Sequence, residues 1–350
     1  WLPFPFCSSS WWSMHPPSKV QFFSRMSCHN ILVNTMLSVT VAESIGVCYG
    51  RIGTGLPSEP DVVALYKSNG IAQMRIYGPD KPVLDALRGS NIDLILDLPK
   101  GDDFRSVASD AGAAATWVQN NVKAFSPDVR FKYIAVGNEI HPGDPEAALL
   151  LSALQNVRSA LAATGLQEQI KVSTAIDMKI IANSFPPNNG VFTGDARQYM
   201  DPVVKFLADN GSPLLANVYP YFAHKDNPDT VPLGYALFQA SAEYRSLFDA
   251  QVDSIYAALE KSGGGGVGIV VSESGWPSEG AAPATVQNAE TYYRNLMQSV
   301  KGGTVKKPGS PIETYLFAMF DENQKTGEET EKHFGLFQPT KQPKYQLGFS

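Results

Sequence analysis

Two glutamates occupy positions where a carboxylate is expensive. Glu139 follows Val136-Gly137-Asn138 and Glu273 follows Val270-Val271-Ser272, so each emerges directly from an apolar run. A charge placed there must be paired or used. One such residue reads equally well as half of a buried ion pair or as a helix cap; two, at the ends of two runs, point to a shared task. Carboxyl groups facing each other across a pocket suit cleavage of a glycosidic bond. One, protonated, assists the leaving oxygen, and the other, ionised, attacks the anomeric carbon. Burial and mutual repulsion push the two pKa values apart, which divides the roles. A separation of ~5 Å would be the retaining geometry and ~8 Å the inverting one.

Aromatic residues gather at similar run ends. Tyr77 closes Met74-Arg75-Ile76, Tyr219, Tyr221 and Phe222 follow Leu214 to Val218, and Trp276 stands just beyond Glu273. Flat rings stack on the apolar C–H faces of sugars, although each ring alone could equally be core packing. Asn138, beside Glu139, is placed to hydrogen-bond the sugar next to the scissile bond or to cap a strand end. The Tyr219 hydroxyl is expected to donate to Glu273 and help keep it ionised. Glu322 and Lys325 follow one further apolar run; a lysine near the carboxylates would favour an ionised neighbour, and an i, i+3 ion pair in a solvated loop is the competing reading.

Other chemistries find less support. The 350-residue chain has 34 acidic and 28 basic residues, a net charge of -6, and no Lys/Arg run, which argues against a nucleic-acid partner. A 43% hydrophobic and 11% aromatic composition excludes a disordered chain. No stretch of ~18 apolar residues predicts a membrane span. The five histidines are dispersed without an HExxH pair, so a zinc hydrolase is unsupported. Ser272-Glu273-Ser274-Gly275 is not a nucleophile elbow, and no lysine ends an apolar run as a Schiff-base aldolase would want. The glycine-rich stretch 262–268 lacks the Gly-Lys-Ser/Thr ending and precedes a β-rich run, so it reads as a helix-to-strand loop. Cys7, Cys28 and Cys48 form no CxxC pair. No metal and no organic cofactor is implied.

The elements that must hold these residues recur regularly. Apolar, β-rich runs begin at Ile45, Met74, Leu94, Tyr133, Lys171, Leu214, Gly268 and Thr314. They are near-continuously apolar, as strands covered on both faces should be. Between them lie helical patterns over Asp61–Ser68, Ala111–Phe125, Pro145–Thr164, Met200–Asn210, Leu247–Lys261 and Val286–Val300. Gly70, Gly165 and Gly211 sit just past helices, where a positive φ is needed. Eight strand–helix units predict an α/β chain folded as a single (β/α)8 TIM barrel over 43–350, with a small elaboration after the sixth strand; an open doubly wound sheet is the runner-up. Residues 1–42 differ: no acidic residue, Lys19 and Arg25, then a moderately apolar run from Ile31 to Val41 ending at Ala42. They read as a secretory signal peptide or a disordered N-terminal extension.

The segments Ile45-Gly46-Val47-Cys48-Tyr49-Gly50, Met74-Arg75-Ile76-Tyr77, Val136-Gly137-Asn138-Glu139, Asn217-Val218-Tyr219-Pro220-Tyr221-Phe222, Val271-Ser272-Glu273-Ser274-Gly275-Trp276-Pro277 and Phe334-Gly335-Leu336-Phe337 together resemble plant glycoside hydrolase family 17, the endo-1,3-β-glucanases. The likeness runs from about residue 44 to residue 349. It implies a retaining endo-hydrolase of β-1,3-glucans such as callose and fungal wall glucan, with Glu139 as general acid/base and Glu273 as nucleophile. It further implies that Tyr77, Asn138, Tyr219 and Phe222 contact substrate, and that Glu322 and Lys325 are an auxiliary charged pair. The acidic character resembles the secreted, apoplastic members, and a monomer is expected. The stretch 239–246 is shorter than the family's usual loop after strand six, which keeps open the alternative of a non-catalytic β-glucan-binding protein; a mixed-linkage 1,3;1,4-β-glucanase stays open as well, because the sequence alone separates the two specificities poorly.

Overall fold

Each of the eight apolar runs becomes a strand, and the strands close on one another. The computed structural model describes residues 45–240 and 244–349. The leader expected over 1–42, and residues 241–243 of the loop expected to be short, lie outside the described residues. Ten strands follow in chain order: β1 (Ile45–Cys48), β2 (Gln73–Ile76), β3 (Asp93–Leu98), β4 (Arg130–Asn138), β5 (Lys171–Ile176), β6 (Ile181–Ala182), β7 (Val191–Phe192), β8 (Leu214–Asn217), β9 (Ile269–Ser274) and β10 (Thr314–Leu316). Eight of them form a closed barrel, in the order β1-β2-β3-β4-β5-β8-β9-β10 and back to β1. All barrel pairings are parallel. This is the expected (β/α)8 architecture, and it gathers the strand C-termini at one rim.

The helices follow the expected pattern with informative differences. The helix before β8 runs from Gly194 to Asn210, six residues earlier than its apolar stripe suggested, because the Thr193 hydroxyl accepts from the Ala196 N–H and caps it there. The pattern over Ala111–Phe125 is an α-helix only to Val118; Gln119–Lys123 is a π turn. Short helices over Lys81–Leu87, Asp102–Ser109 and Pro220–Asp226, too brief to show a clear period, also pack around the barrel. Gly70, Gly165 and Gly211 adopt φ of 72°, 74° and 58°, as their positions after helices require.

Two insertions decorate the rim and wall. After β5, the antiparallel pair β6–β7 runs against the helix Leu247–Lys261, whose Ser254 carbonyl leaves no room for a side chain at Gly190. After β8, the helices Pro220–Asp226 and Leu233–Ala236 form the small elaboration expected there. Among the described residues, no helix is long and apolar enough to cross a membrane.

Candidate active site

A cleft of about 950 Å³ opens over the rim of the barrel and is lined by Glu139, Glu273, Tyr77, Asn138, Tyr219, Phe222, Glu322 and Lys325. Those eight come from loops and strand ends separated by up to 248 positions in sequence, and the barrel brings them together.

Glu273 lies near the end of β9. Val218 N–H donates to its backbone carbonyl at 2.8 Å, and the next residue, Ser274, is pinned through its hydroxyl to the Val218 carbonyl at 2.7 Å. The Glu273 side chain, 6% exposed, receives three donors. Arg75 Nη1 and the Tyr77 hydroxyl donate to Oε1 at 2.9 and 2.8 Å, and the Tyr219 hydroxyl donates to Oε2 at 2.8 Å. Burial pushes this carboxyl up, to about 7; Arg75 pulls it down, Glu139 pushes it up, and the two tyrosines pull it down. Both oxygens face donors, so the ionised form is the one these contacts favour. Burial, first of all, holds the Tyr77 and Tyr219 hydroxyls well above their ordinary range, so they remain donors.

Glu139 stands just past β4 with φ of 50°, an unusual conformation for a residue with a side chain. Gly137, two residues earlier, has φ of 75°. This reversal, with the Glu139 N–H donating to the Ala175 carbonyl at 2.9 Å, turns the carboxyl over the barrel mouth. Asn217 links the two glutamates. Its Nδ2 donates to Glu139 Oε1 at 2.9 Å, while its Oδ1 accepts at 3.1 Å from Arg75, the same cation that reaches Glu273.

Glu322 and Lys325 do form the i, i+3 ion pair, at 3.1 Å, and they form it inside the cleft. Glu322 is 4% exposed and accepts from the Ile52 N–H. The Lys325 ammonium sits 4.3 Å from the centre of the Phe317 ring and 3.9 Å from Glu331. Burial raises the Glu331 carboxyl, Lys325 lowers it and Glu139 raises it further.

Trp276 is a correction. It is fully buried, packs edge-on against Tyr221 at 5.1 Å and lies 5.4 Å from Tyr292, and does not line the cleft. Its indole N–H donates to the Pro283 carbonyl. The chain turns inward after β9, so the ring buttresses the wall from behind. Tyr221 is likewise buried behind Phe222.

Several lining residues were not singled out from the sequence. Phe317 and Phe334, 5.6 Å apart and edge-to-face, join Tyr219 and Phe222 in one aromatic wall. Asp177, Met178 and Lys179 line another part of the cleft. Arg75 and Asn217 lie beneath the glutamates; an arginine in the middle of an apolar run is the signal that marks the first of them. No group of three or more His, Cys, Asp and Glu is placed to hold a metal among the described residues.

A (β/α)8 barrel whose rim carries two hydrogen-bonded glutamates in an aromatic cleft defines a class, the barrel glycoside hydrolases. Within that class the chain belongs to glycosyl hydrolases family 17, whose model matches residues 45–349. It is 57% identical over 327 residues to a glucan endo-1,3-beta-glucosidase of Vitis vinifera, covering 90% of this chain and 94% of that one. An acidic isoform of the same enzyme from Nicotiana tabacum is 56% identical, with 88% of each chain covered. A basic vacuolar isoform from Nicotiana tabacum is 53% identical over 91% of this chain and 88% of its own. Among solved structures, a beta-1,3-glucanase and allergen of Cryptomeria japonica pollen superimposes with a TM-score of 0.84 at 45% identity, over 88% of this chain and 99% of that one.

Proposed function

We propose that this chain hydrolyses internal 1,3-β-D-glucosidic bonds of β-glucans with retention, Glu139 serving as general acid/base and Glu273 as nucleophile. The observation that carries the assignment is the asymmetry of the two sites. Glu273 accepts from three donors, which suits a standing anion. Among the described residues Glu139 accepts a single side-chain hydrogen bond, from the uncharged Asn217 amide to Oε1, which leaves Oε2 to carry a proton.

In the first step a Glu273 oxygen bonds to the anomeric carbon, the bond from that carbon to the leaving oxygen breaks, and Glu139 gives its proton to that oxygen. In the second, water gives a proton to Glu139, its oxygen bonds to the anomeric carbon, and the bond to Glu273 breaks. The aromatic wall of Tyr219, Phe222, Phe317 and Phe334 supplies flat surfaces for sugar rings. Asn138 hydrogen-bonds the sugar at the scissile bond, and the Glu322–Lys325 pair borders it.

The absence of acidic residues from 1–42, with Lys19 and Arg25 ahead of the apolar run Ile31 to Val41, supports reading that segment as a secretory leader and the enzyme as an extracellular one. The test is laminarin hydrolysis by wild type, Glu139→Gln and Glu273→Gln, with the anomer of the first product read by NMR. Each variant should lose at least about 1,000-fold in kcat and the wild type should release the β-anomer. Undiminished activity in either variant, or an α-anomer, overturns the assignment.

A further inference from the structure

Arg75 is wholly buried, and every N–H it owns is engaged. A guanidinium has five such groups and no acceptor. Nε donates to Asp97 Oδ1 at 3.1 Å and Nη2 to Asp97 Oδ2 at 2.8 Å. Nη2 also donates to Asn138 Oδ1 at 2.9 Å. Nη1 donates to Glu273 Oε1 at 2.9 Å and Asn217 Oδ1 at 3.1 Å, with the Ser272 carbonyl 3.3 Å away. Asp97 is 1% exposed, lies on the neighbouring strand β3, and does not line the cleft.

A cation that can only donate decides which way an amide faces. Asn217 turns Oδ1 toward Arg75, and the Ser272 hydroxyl donates to the same oxygen at 2.9 Å. Its Nδ2 therefore faces Glu139 Oε1 and Asn138 Oδ1, each at 2.9 Å. Asn138 likewise turns its oxygen to Arg75 and so directs its amide N–H groups elsewhere. Glu139 Oε1 meets an N–H that cannot accept, which confines the acid's proton to Oε2.

All of this depends on the plane of one guanidinium. Two parallel hydrogen bonds to a carboxylate fix that plane, where a single bond would leave it free to rotate. We propose that Asp97 is a positioning residue for the hydrolysis: its fork on Arg75 orients the cation that grips the nucleophile Glu273 and sets the amide orientation of Asn138 and Asn217. Asp97 acts without touching substrate. The proposal rests on the roles assigned to Glu139 and Glu273.

The test compares Asp97→Asn with Glu139→Ala on two substrates. One is laminarin. The other is a 2,4-dinitrophenyl β-laminaribioside, whose leaving group departs without a proton. Asp97→Asn keeps the shape and replaces one acceptor by a donor that faces Arg75. It should lower kcat on laminarin about 30- to 100-fold with KM within about threefold. The acidic limb of kcat/KM should move to higher pH, because the cation on Glu273 is no longer held in place. The loss should persist on the dinitrophenyl substrate, since it acts through the nucleophile, whereas Glu139→Ala should be largely relieved there. If Glu139→Ala is not relieved, the assignment of Glu139 fails. If it is relieved but Asp97→Asn has wild-type kcat, loses only KM, or leaves the acidic limb unmoved, the role of Asp97 fails. Calorimetric binding of laminarihexaose establishes that the variant's cleft is folded. Should Asp97→Asn not fold, Asp97→Ser, which removes the two-oxygen fork and leaves one small acceptor, replaces it; a lowered kcat with the same limb shift supports the proposal, and a wild-type profile overturns it.

Discussion

At the scale of single residues, the environment of Glu273 sets two opposing demands. The Tyr219 hydroxyl is one of the groups that lower its pKa. Tyr219→Phe should therefore shift the acidic limb of the laminarin kcat/KM profile upward by about half a unit or more and reduce kcat about tenfold or more. An unmoved limb would mean that the hydroxyl does not support the anion. The second demand concerns stability. Burial raises Glu273 from 4.5 to about 7, so its contribution to folding is fully present below pH 4.5 and is lost as pH rises through about 7. The full swing is on the order of 3 kcal/mol. Glu273→Gln does not titrate, so its Tm should gain on wild type between pH 4.5 and about pH 8; melting curves across that window check it. The two glutamates were legible in the sequence because a charge ending an apolar run has few explanations. Arg75 and Asp97 obey the same rule as charges inside such runs, but a place in mid-strand does not by itself show which partner each one meets. The placing of Trp276 behind the wall is not legible, because closeness to Glu273 in sequence does not fix which side of a wall a ring takes.

At the scale of elements, the barrel strands were legible because strands covered on both faces carry unbroken apolar runs. β6 and β7 were not, since two residues cannot show a period. The reversal at the end of β4 is a property of that element rather than of any catalytic group. A Cβ on Gly137 would lie 2.4 Å from Ile140 Cδ1, in a backbone conformation that side chains rarely adopt. Gly137→Ala should cost about 1–3 kcal/mol, seen as a Tm lowered by a few degrees. Because Glu139 leaves the strand through this turn, kcat on laminarin should fall more than about tenfold even where the variant is fully folded. Unchanged kcat at a reduced Tm would make the turn a matter of stability alone.

At the scale of the whole molecule, the charge balance and the substrate must be reconciled. The chain is acidic, with a net charge of -6, and the cleft carries charged residues of both signs. Many of these answer one another inside the cleft: Lys325 with Glu322 at 3.1 Å, and Lys225 with Glu328 at 2.7 Å. A β-1,3-glucan is neutral, so a long-range field would neither draw it in nor repel it, and recognition falls to ring stacking and short hydrogen bonds. Salt screens fields over distances of roughly 10 Å or more but leaves such contacts nearly untouched. The kcat/KM for laminarin should therefore change less than about twofold between low salt and about 0.5 M NaCl. A carboxymethylated glucan of the same linkage should behave differently: an acidic molecule repels it at low salt, so its kcat/KM should rise as salt is added. Parallel salt titrations on the two polymers decide the matter. A steep salt dependence with the neutral glucan would mean that the cleft's ion pairs open during binding, and that its charges, rather than its aromatic wall, dominate recognition.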